Sequence, residues 1–383
     1  MTNFFAAGID VTNKCTLRCL HCFNSSGGLK NQRMDEMSDE ELERMAYDVI
    51  DCRPVSICMC GGEPLLRKES IYKIANYSKN TCVDVNMVTN GELMTKEIAK
   101  KLWQSGISSI QVSLDGSTEE VVDWLRNKKG AYKNAINAIK YLDDTRQELG
   151  INRKISVSFI PHKKNFEQLE EVIYLCETLN VDSFRAQPLM LLGRAMDNLN
   201  TYKLNYKEYQ IVAQKISKKN SENQSMGKKM DLIWGDPIDH LLNDDIDHGK
   251  FTQISANGDI LISAYIPIAI GNIKKHKFSE YVNKNWEEVW NHRLFAYLRN
   301  KMVSPEKMNL GGIEGMPELG YGKILFDILE PEWSQEMDKF YLKLISEERK
   351  NERYSNIYAY DSGIRNIYWD FYVATDLCRW RAS

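Results

Sequence analysis

Between residues 4 and 188 a short apolar run recurs six times, and a helical pattern lies between each run and the next. The runs cover 4–11, 54–60, 82–89, 109–114, 155–160 and 183–188. The helical stretches cover 39–52, 68–80, 95–106, 117–127 followed by 131–149, and 165–179. Ser38 and Glu41 stand at capping-box spacing before Leu42, Met45, Ala46 and Val49, which marks the first helix start. Thr95 reads as an N-cap and Gly106 as the residue past a helix end. Short strands alternating with longer helices argue for βα units and a parallel sheet. Six units fit an α/β fold, a partial (β/α)6 TIM-like barrel, and such barrels carry their chemistry at the C-terminal ends of the strands.

The stretch after the first run is Cys15-Thr16-Leu17-Arg18-Cys19-Leu20-His21-Cys22. Only a compact loop lets three thiolates at that spacing converge. Thiolates suit zinc, Cu(I) and iron–sulfur clusters. One reading is a zinc knuckle with a distant fourth ligand, although structural zinc loops usually supply a second CxxC pair, and none follows here. The other is a 4Fe–4S cluster, which usually takes four cysteines; three would leave one iron open to a small molecule. The later runs also end in small or polar residues: Gly61-Gly62-Glu63-Pro64, Thr89-Asn90-Gly91 and Ser113-Leu114-Asp115-Gly116.

CxxxCxxC after strand one, GGEP after strand two, and TNG and SLDG turns in that order resemble the radical S-adenosylmethionine (radical SAM) superfamily. The resemblance covers the first half and a segment near 251–300. It implies that Cys15, Cys19 and Cys22 hold one 4Fe–4S cluster whose fourth iron chelates S-adenosyl-L-methionine. One electron from an external donor of flavodoxin or ferredoxin type then cleaves the sulfonium C–S bond to a 5′-deoxyadenosyl radical. Gly61, Gly62, Glu63 and Pro64 are expected at the methionine end of the cofactor, with glycine admitting a close backbone approach. Ser113 and Asp115, then Asn90, Ser158 and Arg185, are candidates for ribose and carboxylate contacts. Gln187 to Arg194 is expected to line the substrate or adenine side. His21 reads as loop packing rather than a base. Cys58 and Cys60 face one side of their strand and read as buried cysteines, as do Cys52, Cys82 and Cys176.

After Met190 the pattern changes, and a smaller α+β C-terminal domain is expected. The boundaries are 1–195 for the partial barrel, 196–250 for a helical linker, 251–300 for the smaller domain and 301–383 for a helical, aromatic tail. Residues 201–230 read as one exposed helix and a loop. Asn257-Gly258 signals a hairpin. Ile268 to Ile273 and a helix over 279–291 with Trp286 and Trp290 follow. This order resembles the SPASM or twitch extension of radical SAM peptide-modifying enzymes, which carries cluster cysteines. Here no cysteine lies between Cys176 and Cys378, and Ser263 or Ala264 stands where the first would be. His240, His248 and the aspartates around them read as an acidic solvated loop, and Gly311 to Gly322 as a loop.

Net charge is −3, which argues for neither nucleic acid nor a membrane surface as partner. The most apolar segment, 260–273, is too short to span a bilayer. The start of the chain shows no signal-peptide pattern and no separate precursor-binding domain, so a cytoplasmic enzyme is expected. The resemblance implies a ribosomally made precursor peptide as substrate. The lone late Cys378 resembles the arrangement in proteusin-type peptide epimerases, where a thiol returns hydrogen to Cα from the opposite face. Thioether or carbon–carbon cross-linking and formylglycine formation are the alternatives.

Overall fold

The computed structural model describes residues 6–28, 35–235, 251–301 and 324–352. Its strands are β1 (Ala6–Thr12), β2 (Ser56–Gly61), β3 (Asp84–Thr89), β4 (Ser109–Ser113), β5 (Lys154–Phe159), β6 (Ser183–Ala186), β7 (Asp231–Trp234), β8 (Phe251–Ile254), β9 (Asp259–Leu261), β10 (Ile268–Asn272) and β11 (Ile324–Leu325). Its helices are α1 (Asp39–Asp51), α2 (Lys68–Ser78), α3 (Lys96–Ser105), α4 (Glu119–Arg126), α5 (Ala131–Leu149), α6 (Leu169–Thr178), α7 (Arg194–Leu199), α8 (Tyr206–Ser225), α9 (Phe278–Val282), α10 (Trp286–Trp290), α11 (Arg293–Lys301) and α12 (Trp333–Glu352). The caps behave as their residues dictate. Ser38 and Glu41 make both bonds of the capping box at α1, and Gly106 closes α3 at φ 109°.

All the strands join one sheet in the order β11-β10-β9-β8-β1-β2-β3-β4-β5-β6-β7. From β1 to β7 every pairing is parallel, as βα units require. The two faces differ. Ile57, Met59, Val85, Met87, Ile110, Val112, Ile155, Val157 and Phe184 are buried in one core with side chains from the helices. The alternate residues Cys58, Cys60, Asn86, Gln111, Ser156, Ser158 and Arg185 are half-buried and mostly polar. With helix side chains packed on the apolar face, the polar face is the inner side of a partial barrel.

Several features differ from the sequence reading, and Cys82, expected to be buried, is exposed. Residues 231–234, expected within a linker, form a seventh parallel strand paired from Ser183↔Asp231 to Ala186↔Trp234. Four residues are too few to carry a period. Helix α8, expected to be exposed, buries Tyr209, Val212, Ala213 and Ile216. The helix expected over 279–291 is two short helices, because Asn285 turns left-handed at φ 60° between them.

The strands of the expected C-terminal domain share the barrel sheet. β8 lies parallel to β1 from Ala6↔Phe251 to Ile9↔Ile254, and the hairpin at Asn257-Gly258 is β8–β9. The physical reason is the free edge of β1, which carries the fully buried Ile9 and Val11 and needs a partner. Ser263 is buried there, and its hydroxyl accepts the Tyr265 N–H at 3.2 Å. Cys378 and the aromatic tail, the glycines of 311–322, and His240 and His248 with their aspartates lie outside the described residues.

Candidate active site

The cysteine loop leaves the C-terminal end of β1 and is held from many sides. The Gly62 N–H donates to the Thr12 carbonyl at 2.7 Å and the Glu63 N–H to the Lys14 carbonyl at 2.9 Å. A Cβ on Gly62 would stand 2.0 Å from the Lys14 carbonyl oxygen, and Gly61 sits at φ +106°. These glycines are thus required first by the cysteine loop, whatever else approaches them. The Asn90 amide nitrogen lies 3.6 Å from Cys15 Sγ and 3.3 Å from Thr16 Oγ1. Arg194 donates to the Cys19 and Ser26 carbonyls, both at 2.9 Å. Arg126 Nη1 lies 3.8 Å from Cys19 Sγ.

The three thiols fit a cluster by their donor chemistry. Burial pushes the Cys15 thiol up to about 11, with neighbouring Cys19 and Cys22 adding to the rise. Burial also raises Cys19, opposed by the positive charge of Arg126. Such thiols ionise when a metal takes the proton's place. Among the described residues no three His, Cys, Asp or Glu side chains converge on one ion position. Tetrahedral zinc needs its thiolates about 2.3 Å from one centre. A 4Fe–4S cluster takes one thiolate at each of several irons.

Glu63 and Asp115 were expected to meet the cofactor, and the structure engages both with protein. Glu63 is fully buried. Its carboxylate accepts from Leu65 N at 3.1 Å, Thr89 Oγ1 at 2.8 Å and Asn90 N at 2.9 Å. Burial raises its pKa to about 7 against these bonds. Glu63 thereby ties the end of β2 to the turn after β3, and Pro64 opens the short helical turn Pro64–Arg67. Asp115, also fully buried, binds Arg126 through one oxygen and accepts the Ile160 N–H at 2.9 Å through the other. Its carboxylate thereby braces two loops against each other. His21 Nε2 lies 3.9 Å from it. Burial, chiefly, and then Arg126 hold His21 well below its usual pKa, which agrees with loop packing.

Ser113, Ser158 and Arg185 are directly opposite one another across β4, β5 and β6. They form a polar row at the strand ends on the inner face. Arg185 Nε is buried and has no hydrogen-bond partner among the described residues. Cys58 and Cys60 share that inner face. Gln253 on β8 donates to Asp10 Oδ1 at 2.8 Å and to Cys60 Sγ at 3.4 Å, and the Cys60 thiol lies 3.6 Å from Asp10 Oδ1. Its bond to Cys58, burial and Asp10 push the Cys60 thiol well up, while the bond to Cys60 and then Arg185 lower Cys58 against burial.

Of the stretch Gln187 to Arg194, Leu189 and Leu191 pack in a small apolar cluster beside Leu20 and Trp124, and Arg194 clamps the cysteine loop instead of facing outward. Arg126, Asp10 and Gln253 were not singled out from the sequence.

Residues 9–176 match the family model described as the radical SAM superfamily. An AdoMet-dependent heme synthase of Methanosarcina barkeri is 24% identical over 307 residues, spanning 76% of this chain and 83% of that protein. Mycofactocin maturase MftC of Mycolicibacterium smegmatis is 32% identical over 193 residues, spanning 49% of this chain and 45% of the maturase. The chain thus spans about half the length of several curated relatives that it matches. Streptococcus suis SuiB bound to S-adenosylmethionine aligns with a TM-score of 0.58 at 16% identity over 84% of this chain and 76% of SuiB. SuiB bound to the precursor peptide SuiA aligns with a TM-score of 0.55 at 18% identity over 78% of this chain and 67% of SuiB; both alignments speak to the fold. With the motif order, the parallel sheet and the family match in agreement, residues 9–176 of this chain are a radical SAM domain.

Proposed function

We propose that this chain is a radical SAM peptide-modifying enzyme in which Cys15, Cys19 and Cys22 hold the 4Fe–4S cluster. The observation that carries the reading is the convergence of β2, β3 and α4 on the cysteine loop through Gly62, Glu63, Asn90 and Arg126. When bound, the cluster and S-adenosylmethionine supply a carbon-centred radical that removes hydrogen from unactivated carbon. The protein supplies position and exclusion of water. Asn90 holds Cys15, Glu63 and Asp115 brace the loops, and Ser113, Ser158 and Arg185 offer polar groups to the ribose and carboxylate. An external one-electron donor of flavodoxin or ferredoxin type starts each turnover. A precursor peptide as substrate is supported by the likeness to SuiB, which was solved with one.

Within this class the reading is L-to-D epimerisation, with Cys378 as hydrogen donor. The absence of any cysteine between Cys176 and Cys378 supports it. Cross-linking must pass a second electron to an acceptor, whereas epimerisation breaks one Cα–H bond and remakes it, with no net oxidation of the peptide. The thiyl left on Cys378 regains one electron from the external donor and one proton from water.

The test is an anaerobic reaction in D2O with reductant, S-adenosylmethionine and the peptide encoded beside this gene, read by mass spectrometry. A gain of one mass unit at Cα per modified residue is expected, and a loss of two would replace epimerisation with a cross-link. Cys378→Ala is expected to keep adenosylmethionine cleavage and lose the D-residue; equal product from both proteins removes Cys378 from the mechanism. A tetrapyrrole substrate is the second reading, because the heme synthase match spans 76% of the chain. Titration with iron coproporphyrin, followed by its visible absorption, separates the two.

A further inference from the structure

We propose that Arg126 sets how readily the cluster accepts its electron, by holding a buried positive charge against the Cys19 sulfur. The inference rests on the cluster reading above and concerns a residue that neither the motifs nor the expected cofactor contacts include. Arg126 is 6% exposed. Its Nη1 lies 3.8 Å from Cys19 Sγ and its Nη2 binds Asp115. Arginine keeps its proton under all ordinary conditions, so this charge is permanent.

The local structure leaves the guanidinium little freedom. Arg126 is the last residue of α4, and Asn127 ends that helix in the left-handed region at φ 53°. The Asp123 carboxylate accepts Gly130 N at 2.6 Å and Tyr132 N at 2.9 Å, which locks the turn into α5. The Leu20 N–H donates to the Leu125 carbonyl at 2.8 Å, which joins the cysteine loop to the same helix end. Arg194 independently holds the Cys19 carbonyl at 2.9 Å. The backbone of Cys19 therefore has a second anchor, and what Arg126 alone adds is charge and a donor at sulfur.

Reduction places one more negative charge on the cluster. A fixed positive charge beside a ligand sulfur favours that state, and burial keeps water from screening it. Hydrogen bonds to the sulfurs and nearby charge are established determinants of cluster potentials. Asp115 works in the opposite direction from one bond further away. It also fixes Arg126, and its second oxygen is already committed to Ile160 N. The two residues thus make opposite predictions, which a purely structural role would not.

The experiment is a potentiometric titration of the reconstituted full-length protein, followed by electron paramagnetic resonance of the reduced cluster. Arg126→Gln is expected to lower the midpoint potential, Arg126→Lys to lower it less, and Asp115→Asn to raise it. Cluster-loaded variants with the wild-type midpoint, or shifts of the same sign in the arginine and aspartate variants, would overturn the inference. If Arg126→Gln fails to take up iron, Arg126→Lys against Asp115→Asn decides. A wild-type protein that binds no iron and sulfide would instead remove the cluster reading itself, so the two failures are distinguishable.

Discussion

Glu63 shows how one residue's role depends on where its hydrogen bonds go. As part of GGEP it reads as a cofactor contact, but it accepts three bonds from its own chain and reaches no water. Its folded pKa of about 7 lies above the ordinary 4.5. The folded state therefore holds the proton more tightly, so the stability that Glu63 contributes is fully present below pH 4.5 and is lost as pH rises through 7. The loss is on the order of 2–3 kcal/mol. Thermal unfolding of the metal-free protein from pH 5 to 8 is expected to show this fall, and Glu63→Gln to flatten it. A wild-type slope retained in the variant would assign the dependence to another group. Asp115 likewise bonds to its own chain, with a partner of opposite charge, Arg126, and the Ile160 N–H.

At the scale of elements, β7 and α8 depend on each other. β7 is four residues long, and its Leu232 N–H points away from β6 to the Asn220 amide oxygen on α8 at 3.0 Å. The side chain closes a sheet edge that would otherwise bury an unpaired donor. Asn220→Ala is expected to cost about 1–3 kcal/mol in urea unfolding and to speed amide exchange at Leu232. Unchanged exchange there would show that the edge is closed by something else. The sequence hides this pair because α8 is mostly Lys, Asn, Ser and Gln, with a narrow stripe of Tyr209, Val212, Ala213 and Ile216. Its partner strand is too short to show alternation.

At the scale of the whole molecule, the sheet does not stop at residue 195. β7 adds to β6 and β8 adds to β1, so both flanks of the six-strand arc are covered by later chain. Residues 1–195 expressed alone are expected to be less soluble and less cooperative in unfolding than the full chain; a soluble fragment with a sharp transition would show that they fold as a unit of their own. No helix among the described residues is long and apolar enough to cross a membrane. The strand–helix alternation, the helix caps at Ser38 and Thr95, the parallel sheet and the gathering of motifs at strand ends were all legible from residue order. Each is a local pattern of period two or 3.6, or a motif within a few residues. Which polar groups remain free for a ligand was not legible. Arg126 meets Cys19 from 107 positions away and Gln253 meets Asp10 from 243. The sequence by itself therefore determined the barrel and the cysteine loop. Only the tertiary structure decided that Glu63 and Asp115 bond to groups of distant loops while Arg185 Nε is left without a hydrogen-bond partner among the described residues, because burial and partnership between distant residues arise only once the chain has folded.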